Sequence, residues 1–302
     1  MIIRIGTRGS RLALAMTGSV ADALEQRGIR CEIVTIRTQG DRHPDAPTRT
    51  LGSGVFVKDL EVSLAEGRVD LAVHSAKDLH GEPTAGLVFA AFPPRADPLD
   101  VLVSRDRRGL RSLSVGAAVG TESPRRRAFL LAARPDLSIQ GMRGNVDTRL
   151  RKLEAGGVDA IVLAAAGLAR LGLTDRVTER FDPRVMLPEA GQGAMALQAR
   201  ADAGDLLRAL KGLDDLPTRA AVEAERAMVA ALGGTCDTAI AAHAVCDGET
   251  LVLDGAVLDP DGSRIMRDRI TGAVRDARRV GEQLGRQLIE RGARNLMTEV
   301  AR

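Results

Sequence analysis

Arginine, glycine and small polar residues occur together at three places where a short loop leads into a predicted helix. These places are residues 6–11, 120–127 and 143–149. A helix N-terminus has a partial positive charge and unpaired N–H donors, so each cation in its first turn is unfavourable by up to about 1 kcal/mol. Three consecutive arginines, residues 125–127, occupy such a turn. The pattern predicts a site where arginines and backbone N–H groups bind an anion, unless a local carboxylate such as Glu122 compensates them.

The anion expected at this site carries several negative groups. Neither the phosphate-binding pattern G-x-x-x-x-G-K-[ST] nor a G-x-G-x-x-G turn that opens a helix occurs in the chain. Arginine forms two-point hydrogen bonds with carboxylates and phosphates alike. Because the nucleotide loops are missing, a ligand with multiple carboxylates is the favoured interpretation.

A lysine and a carboxylate follow the end of a predicted buried strand, in the sequence VHSAKDL of residues 73–79. Asp78 is a candidate general acid or base, or a stabiliser of a cationic intermediate. Alternatively, Asp78 pairs with Lys77 or caps a turn, and spacing alone favours that structural role. His74 has the character of a buried core histidine rather than of a catalyst.

Cys236 lies in a glycine-containing loop between a predicted helix and a predicted strand. A loop cysteine without a disulfide partner is a candidate nucleophile or attachment point. The alternative role, a small buried hydrophobic residue, suits Cys31 and Cys246 better. Three cysteines without close spacing predict neither a disulfide framework nor a zinc site, and the four histidines form no ligand cluster, so we expect no metal.

Alternating strand and helix patterns must position these side chains. Strands are predicted at residues 2–5, 31–37, 69–74, 87–92, 100–104, 115–119, 137–140 and 158–164. Helices are predicted at residues 12–26, 56–66, 125–133 and 146–155. The pattern stops at Pro93 and Pro94 and then restarts, which predicts two α/β halves, each with a parallel sheet. Ligands of such pairs usually bind between the halves, beyond the carboxyl ends of the strands.

The last part of the chain has a different pattern. Its predicted elements are a helix at residues 217–232, strands at residues 240–245, 251–258 and 264–271, and a closing helix at residues 277–291. The sequence Asp-Pro-Asp-Gly at residues 259–262 predicts the turn between the last two strands. We therefore expect a smaller C-terminal α+β domain of about 85 residues.

The composition restricts the classes of function. The chain has 302 residues, of which 44% are hydrophobic and 27% are charged, and this excludes global disorder. No apolar run reaches the roughly 18 residues of a membrane span, and the first ten residues lack the features of a signal peptide, so we expect a cytoplasmic protein. A net charge of +3 and an aromatic content of 2% argue against a nucleic-acid binder. A two-lobed anion receptor without chemistry is the main alternative to an enzyme.

The motifs of this chain, taken in order, resemble those of the hydroxymethylbilane synthase (porphobilinogen deaminase) family. The motifs are Gly6-Thr7-Arg8-x-Ser10, His74-Ser75-x-Lys77-Asp78, Ser123-x-Arg125-Arg126, Arg143-Gly144-Asn145, Thr148-Arg149-Leu150, Ala166-Gly167-Leu168-x-Arg170-Leu171-Gly172, Gly191-Gln192-Gly193-Ala194, and Ala224-Glu225-Arg226 with the later Cys236. The resemblance extends over essentially the whole chain. The series of motifs is more specific than any one of them.

This resemblance implies three domains. Domains 1 and 2 would be α/β domains similar to type II periplasmic binding proteins, with the active site in the cleft between them, and domain 3 would be the smaller α+β domain. Domain 1 would comprise residues 1–93 and 194–211, domain 2 residues 99–187, and domain 3 residues 216–302. The chain would pass between the first two domains near Pro93 and again near Pro188.

The resemblance also implies a reaction in porphyrin (haem) biosynthesis. A dipyrromethane cofactor, which the enzyme builds from its own substrate, would be attached through a thioether to Cys236. Four porphobilinogen units would be added head to tail, each with loss of ammonia, before water releases the linear tetrapyrrole hydroxymethylbilane. We expect a cytoplasmic monomer that binds this small-molecule substrate and neither nucleic acid nor a membrane.

The roles of individual residues follow from the same resemblance. Asp78 would be the catalytic carboxylate, and Lys77 would hold nearby charges in place. The residues expected to bind the cofactor are Cys236, Arg125, Arg126, Arg143, Arg149, Ser123, Lys77 and Asp78. The residues expected to bind the substrate are Arg8, Ser10, Phe56, Arg143, Arg149, Arg170 and Gln192. The chain departs from the family pattern at Ser53, His80, Glu122 and Thr235.

Overall fold

The structure is a computed structural model that describes residues 2–42, 54–79, 81–235 and 237–297. Its strands are β1 (Ile2–Thr7), β2 (Arg30–Thr35), β3 (Leu71–Ser75), β4 (Leu87–Ala91), β5 (Asp100–Ser104), β6 (Ala118–Gly120), β7 (Ser138–Gln140), β8 (Ala160–Ala164), β9 (Glu179–Arg180), β10 (Met195–Arg200), β11 (Ile240–Asp247), β12 (Thr250–Leu258) and β13 (Ile265–Ala273). Its α-helices are α1 (Arg11–Glu25), α2 (Gln39–Arg42), α3 (Lys58–Ala65), α4 (Pro124–Ala133), α5 (Val146–Glu154), α6 (Ala165–Arg170), α7 (Gly204–Leu210), α8 (Leu216–Leu232) and α9 (Ala277–Glu290). None of the described helices has both the length and the apolar character needed to cross a membrane.

The first compact unit comprises residues 1–96 and 193–219. Its five-stranded sheet has the order β2-β1-β3-β10-β4. Strands β1, β2 and β3 are parallel, and β10 is antiparallel to both of its neighbours. Helix α1 covers this sheet because its apolar residues recur at helical spacing, and Met16, Val20 and Leu24 pack in one buried cluster with Ile3 and Ile5.

The second compact unit comprises residues 97–192 and 220–302. It contains a five-stranded sheet of order β7-β6-β8-β5-β9 and the three-stranded sheet β11-β12-β13. The two five-stranded sheets of the protein have the same strand arrangement. Three parallel strands come first, in the order β2-β1-β3 or β7-β6-β8, and the antiparallel strand β10 or β5 lies fourth. Strand β5 is the first strand of the second unit, and β10 is the first strand after the chain returns to the first unit.

The C-terminal meander has its own apolar core and also packs on the second five-stranded sheet. Helices α8 and α9 cover one face of the meander, with Met228 and Leu284 in a shared buried cluster. Ala256 and Leu258 of β12 belong instead to the cluster that contains Phe129 of α4. Gly262, in the β12–β13 turn, has φ +73°, and a Cβ there would overlap the backbone of α4. The glycine therefore permits a close contact between this turn and the helix.

The mixed α/β fold class with a smaller C-terminal sheet is confirmed. The two predicted parallel sheets are parallel-rich rather than entirely parallel, because β5 and β10 run antiparallel to their neighbours. The division into three domains at the stated boundaries stays a prediction.

Candidate functional site

The second unit supplies the arginine cluster. Helix α4 begins with Pro124 at its first position and Ser123 as N-cap, whose Oγ accepts a hydrogen bond from the Arg126 backbone N–H at 3.4 Å. The side chains of Arg125 and Arg126 in this first turn are both buried. Two buried cations at a helix N-terminus need compensation by negative charge.

Asp100, the first residue of β5, provides that negative charge. Its Oδ2 is 2.7 Å from Nη1 of Arg125, and its Oδ1 is 2.8 Å from Nη2 of Arg126. Burial opposes ionisation of this carboxyl, but the charges of both arginines outweigh it and lower the pKa of Asp100 to about 2. Local pairing therefore does occur, as the alternative interpretation allows, but the partner of these two arginines is Asp100 rather than Glu122.

Arg125 nevertheless keeps unpaired donors. Its Nη1 also donates to the Leu187 carbonyl at 2.7 Å, whereas its buried Nε and Nη2 have no hydrogen-bond acceptor among the described residues. The buried Nε of Arg127 also has no hydrogen-bond acceptor among the described residues. A buried donor without an acceptor costs about 1–3 kcal/mol. An additional carboxylate would remove that cost, so these donors fit an anionic group that carries carboxylates.

Arg143 and Arg149 add positive charge beside Arg126. Arg149 follows the N-cap Asn145 of α5, and its Nε donates to the Gly144 carbonyl at 2.8 Å. Burial and the like charge of Arg126 lower the pKa of Arg149 to about 10; Arg143 adds to this effect, and the carboxylate of Glu122 opposes it. The cluster therefore has an excess of positive charge that favours bound carboxylates.

Gln192 is fully buried and ties the arginine pair to the start of β5. Its Nε2 donates to the Pro98 carbonyl at 2.7 Å and to Oδ1 of Asp100 at 3.1 Å. Its Oε1 accepts from Nη2 of Arg126 at 3.3 Å. The structure thus brings Gln192 together with the predicted arginines.

Arg170 is the last residue of α6, and burial lowers the pKa of its guanidinium. Its predicted role in substrate binding stays a prediction.

The first unit supplies the predicted carboxylate. Lys77 and Asp78 lie in a short 3-10 turn directly after β3, and both are half-buried. The turn begins with a hydrogen bond from the Ala76 N–H to the Ala194 carbonyl at 3.0 Å, next to the pairing of Ser75 with Met195. The antiparallel strand β10 therefore fixes the backbone that carries Asp78.

His74 is a core histidine, as the sequence analysis predicts. Its Nε2 is 2.9 Å from Oε1 of Gln198, whose Nε2 donates to Oε1 of Glu61 at 2.7 Å. Because the amide nitrogen of Gln198 faces a carboxylate, its oxygen must accept, and His74 therefore carries its proton on Nε2. Burial lowers the pKa of His74 to about 4, so the ring is neutral at pH 7.

The first unit also places an ion pair beside the ring of Phe56. The Cζ atom of Arg8 lies 3.8 Å from the centre of the Phe56 ring, and its Nη2 is 2.6 Å from Oδ1 of Asp41. Burial raises the pKa of Asp41, but hydrogen bonds from Arg8 and Thr38 outweigh it and hold that pKa below its usual value. Gly40 lies against the ring, where a Cβ would overlap Phe56.

Ser10 in this unit is the N-cap of α1, and its Oγ accepts from the Ala13 N–H at 3.2 Å.

Asp41 and Asp100 are site residues that sequence reasoning missed. One feature of the sequence could have indicated Asp100, because it is a carboxylate at the start of an apolar strand.

Cys236, the expected point of cofactor attachment, lies outside the described residues, as do Ser53 and His80. Its described neighbours Thr235 and Thr238 are linked by two hydrogen bonds. Thr235 N–H donates to Oγ1 of Thr238 at 3.0 Å, and that hydroxyl donates to the Thr235 carbonyl at 2.7 Å.

The protein has a mixed α/β fold, and its second unit contains a buried arginine pair with donors that have no acceptor among the described residues. Two family models match the chain: "Porphobilinogen deaminase, dipyromethane cofactor binding domain" over residues 3–208 and "Porphobilinogen deaminase, C-terminal domain" over residues 219–290. The chain belongs to the porphobilinogen deaminase family.

Relatives of similar length carry the same family name. The porphobilinogen deaminase of Acidothermus cellulolyticus is 50% identical over 301 residues, which are 98% of this chain and 91% of that protein. The porphobilinogen deaminase of Syntrophobacter fumaroxidans is 44% identical over 304 residues, which are 100% of this chain and 98% of that protein. Among solved structures, the periplasmic VFT2 domain of Bordetella pertussis BvgS is 15% identical with a TM-score of 0.42, covering 69% of this chain and 85% of that domain.

Proposed function

We propose that this chain joins four porphobilinogen units head to tail, releases ammonia at each joining, and yields the linear tetrapyrrole hydroxymethylbilane. Membership of the porphobilinogen deaminase family supports this transferase activity in porphyrin biosynthesis. The structural observation that carries the proposal is the buried arginine pair with unpaired donors on Arg125. The cytoplasmic location, the monomeric state, the absence of nucleic-acid and membrane partners, and the three-domain boundaries stay predictions.

The charge of the substrate matches the charge of the cluster. Each porphobilinogen unit carries an acetate and a propionate, so a growing chain gains two carboxylates per unit. Two buried donors of Arg125 have no acceptor within the described part of the chain, and the pKa of Arg149 is lowered by burial and by like charges. Carboxylates bound here would satisfy the donors and relieve the repulsion between the cations.

The same carboxylate-binding character suits a dipyrromethane cofactor. When bound, this group supplies the pyrrole carbon on which the polymer grows. We expect Ser123, Arg125, Arg126, Arg143 and Arg149 to hold its carboxylates, and Lys77 and Asp78 stay predicted cofactor-binding residues. A thioether between the cofactor and Cys236 is part of the proposal.

Asp78 is the proposed catalytic carboxylate. In each joining, the bond between the aminomethyl carbon and the protonated amino nitrogen of a substrate breaks, and ammonia leaves with the bonding electrons. Asp78 would stabilise the resulting substrate cation and would then accept the proton that the attacked pyrrole carbon loses when the new carbon–carbon bond forms. Lys77 would keep the negative charges near Asp78 in place.

Intact mass measurement with peptide mapping tests the cofactor. We expect an added mass equal to two porphobilinogen units less two ammonias, located on the peptide that contains Cys236. Cys236→Ser should abolish the addition, whereas the control variants Cys31→Ser and Cys246→Ser should retain it. A chain that stays unmodified after incubation with porphobilinogen would refute self-assembly of the cofactor and favour a carboxylate receptor without chemistry.

Asp78→Asn tests the catalytic carboxylate, because it removes the charge while it keeps the size. We expect hydroxymethylbilane formation to fall by about 10²- to 10⁴-fold, the usual contribution of a general acid–base group. The control Asp202→Asn changes a carboxylate that is 88% exposed in the same unit and should leave the rate unchanged. A rate in Asp78→Asn within threefold of the control would contradict the assignment.

A further inference from the structure

Glu122 places a carboxylate of the protein itself inside the arginine cluster. It lies in the turn between β6 and α4, with its Oε1 at 3.4 Å from Nε of Arg143. Its Oε2 lies 3.1 Å from the position that a Cβ on Gly141 would take, so the side chain rests over a residue without one. Because Glu122 is 41% exposed, its carboxylate remains accessible from solvent.

The contact of Glu122 differs from that of Asp100. Asp100 is fully buried and lies 2.7 Å and 2.8 Å from its two arginines, which are the distances of strong charge-assisted hydrogen bonds. The Glu122–Arg143 pair is longer and partly exposed, and such pairs contribute little to stability. Asp100 is therefore a permanent counter-ion, whereas Glu122 can exchange with another carboxylate.

The electrostatics of Arg149 indicate that Glu122 acts on the whole cluster. Burial and the charges of Arg126 and Arg143 disfavour the cationic form of Arg149, and Glu122 is the carboxylate that opposes them. The negative charge of Glu122 thus partly neutralises the cations that would attract a ligand. The same charge repels any carboxylate that approaches Arg143.

We propose that Glu122 competes with the carboxylates of the ligand for Arg143 and so weakens their binding. The inference rests on the proposed function for the identity of the ligand. A ligand carboxylate that pairs with Arg143 must displace Glu122 or share the guanidinium with it. Removal of the charge on Glu122 should then strengthen ligand binding rather than weaken it.

Steady-state kinetics of Glu122→Gln test this inference. We expect the KM for porphobilinogen to fall by about two- to fivefold, the factor that corresponds to a partly exposed ion pair, and kcat to change less than KM does. The matched control is Glu154→Gln, because Glu154 of α5 is 54% exposed and pairs with Arg176 at 2.7 Å, away from the cluster. An unchanged or higher KM in Glu122→Gln would overturn the inference, since a carboxylate that positions Arg143 would raise KM when removed.

A titration without turnover separates this inference from the proposed function. Glutarate, a plain dicarboxylate that cannot react, is added to cofactor-free protein while the thermal unfolding temperature is measured by circular dichroism. We expect Glu122→Gln to reach half-maximal stabilisation at about two- to fivefold less glutarate than the wild type and the Glu154→Gln control. Equal midpoints, or no stabilisation of any of the proteins, would overturn the role of Glu122. Inactivity of the wild type with porphobilinogen would instead refute the proposed function.

Discussion

Replacement of Asp100 by asparagine tests the electrostatics of the arginine pair. Asp100 supplies the negative charge between Arg125 and Arg126, and the exposed fractions of these two arginines are 2% and 4%. Asparagine keeps the size of the side chain and one acceptor oxygen but leaves two buried cations without their counter-ion. Removal of one partner from a buried ion pair usually costs about 3–5 kcal/mol.

The lowered pKa of Asp100 gives an independent magnitude and a pH dependence. Its folded-state pKa, about 2, lies below the ordinary value of 3.8, so ionisation of Asp100 stabilises the fold by about 2 kcal/mol above pH 4. This contribution is lost as the pH falls from about 4 through 2, where the carboxyl takes up a proton in the folded state. The free energy of unfolding of the wild type should therefore fall over this pH interval relative to that of Asp100→Asn. The difference in free energy of unfolding between the two proteins should become smaller.

Urea unfolding followed by far-ultraviolet circular dichroism measures this difference, because the chain contains neither Trp nor Tyr for fluorescence. We expect Asp100→Asn to lower the free energy of unfolding of the second unit by about 2–5 kcal/mol at pH 7. The control Asp205→Asn breaks an exposed pair with Arg208 and should cost less than about 1 kcal/mol. A loss in Asp100→Asn no larger than that of the control would refute the role of Asp100 as the buried counter-ion.

Three further substitutions give separate checks. Gly40→Ala should displace the Phe56 ring and reduce hydroxymethylbilane formation with an unchanged circular dichroism spectrum, and an unchanged rate would argue against a role for that ring. Gln198→Leu should cost about 1–3 kcal/mol in urea unfolding because His74 loses its partner, and a loss no larger than that of Asp205→Asn would argue against this hydrogen bond. Gly262→Ala should cost about 1–3 kcal/mol because φ is +73°, and a smaller loss would mean that the turn can move away from α4.

Local signals in the sequence predict the helix starts of the site correctly. Ser10, Ser123 and Asn145 each act as an N-cap and accept a hydrogen bond from the backbone N–H three residues later. This chemistry involves only neighbouring residues, so a single sequence contains all of it. The boundaries of α1 and α5 likewise lie within one residue of the predicted ones.

Partners that are distant along the chain could not be predicted. Asp100 reaches Arg125 across 25 positions, and Asp41 reaches Arg8 across 33. Which carboxylate meets which arginine depends on how strands and helices pack, and the residue types alone do not encode it. The place of β10 in the first sheet was missed for the same reason, since its partner β3 lies more than 100 residues earlier.

The late position of β10 has a consequence for the newly synthesised chain. Strands β3 and β4 leave the ribosome about 100 residues before Met195–Arg200, the strand that must lie between them. At a synthesis rate of about 5–20 residues per second, the first sheet lacks its fourth strand for about 5–20 s. During that interval two strand edges are open to wrong partners, including strands of other nascent chains. We expect chaperone demand during synthesis to be concentrated in this interval, and a chain truncated before residue 195 to aggregate rather than to accumulate as a folded first unit.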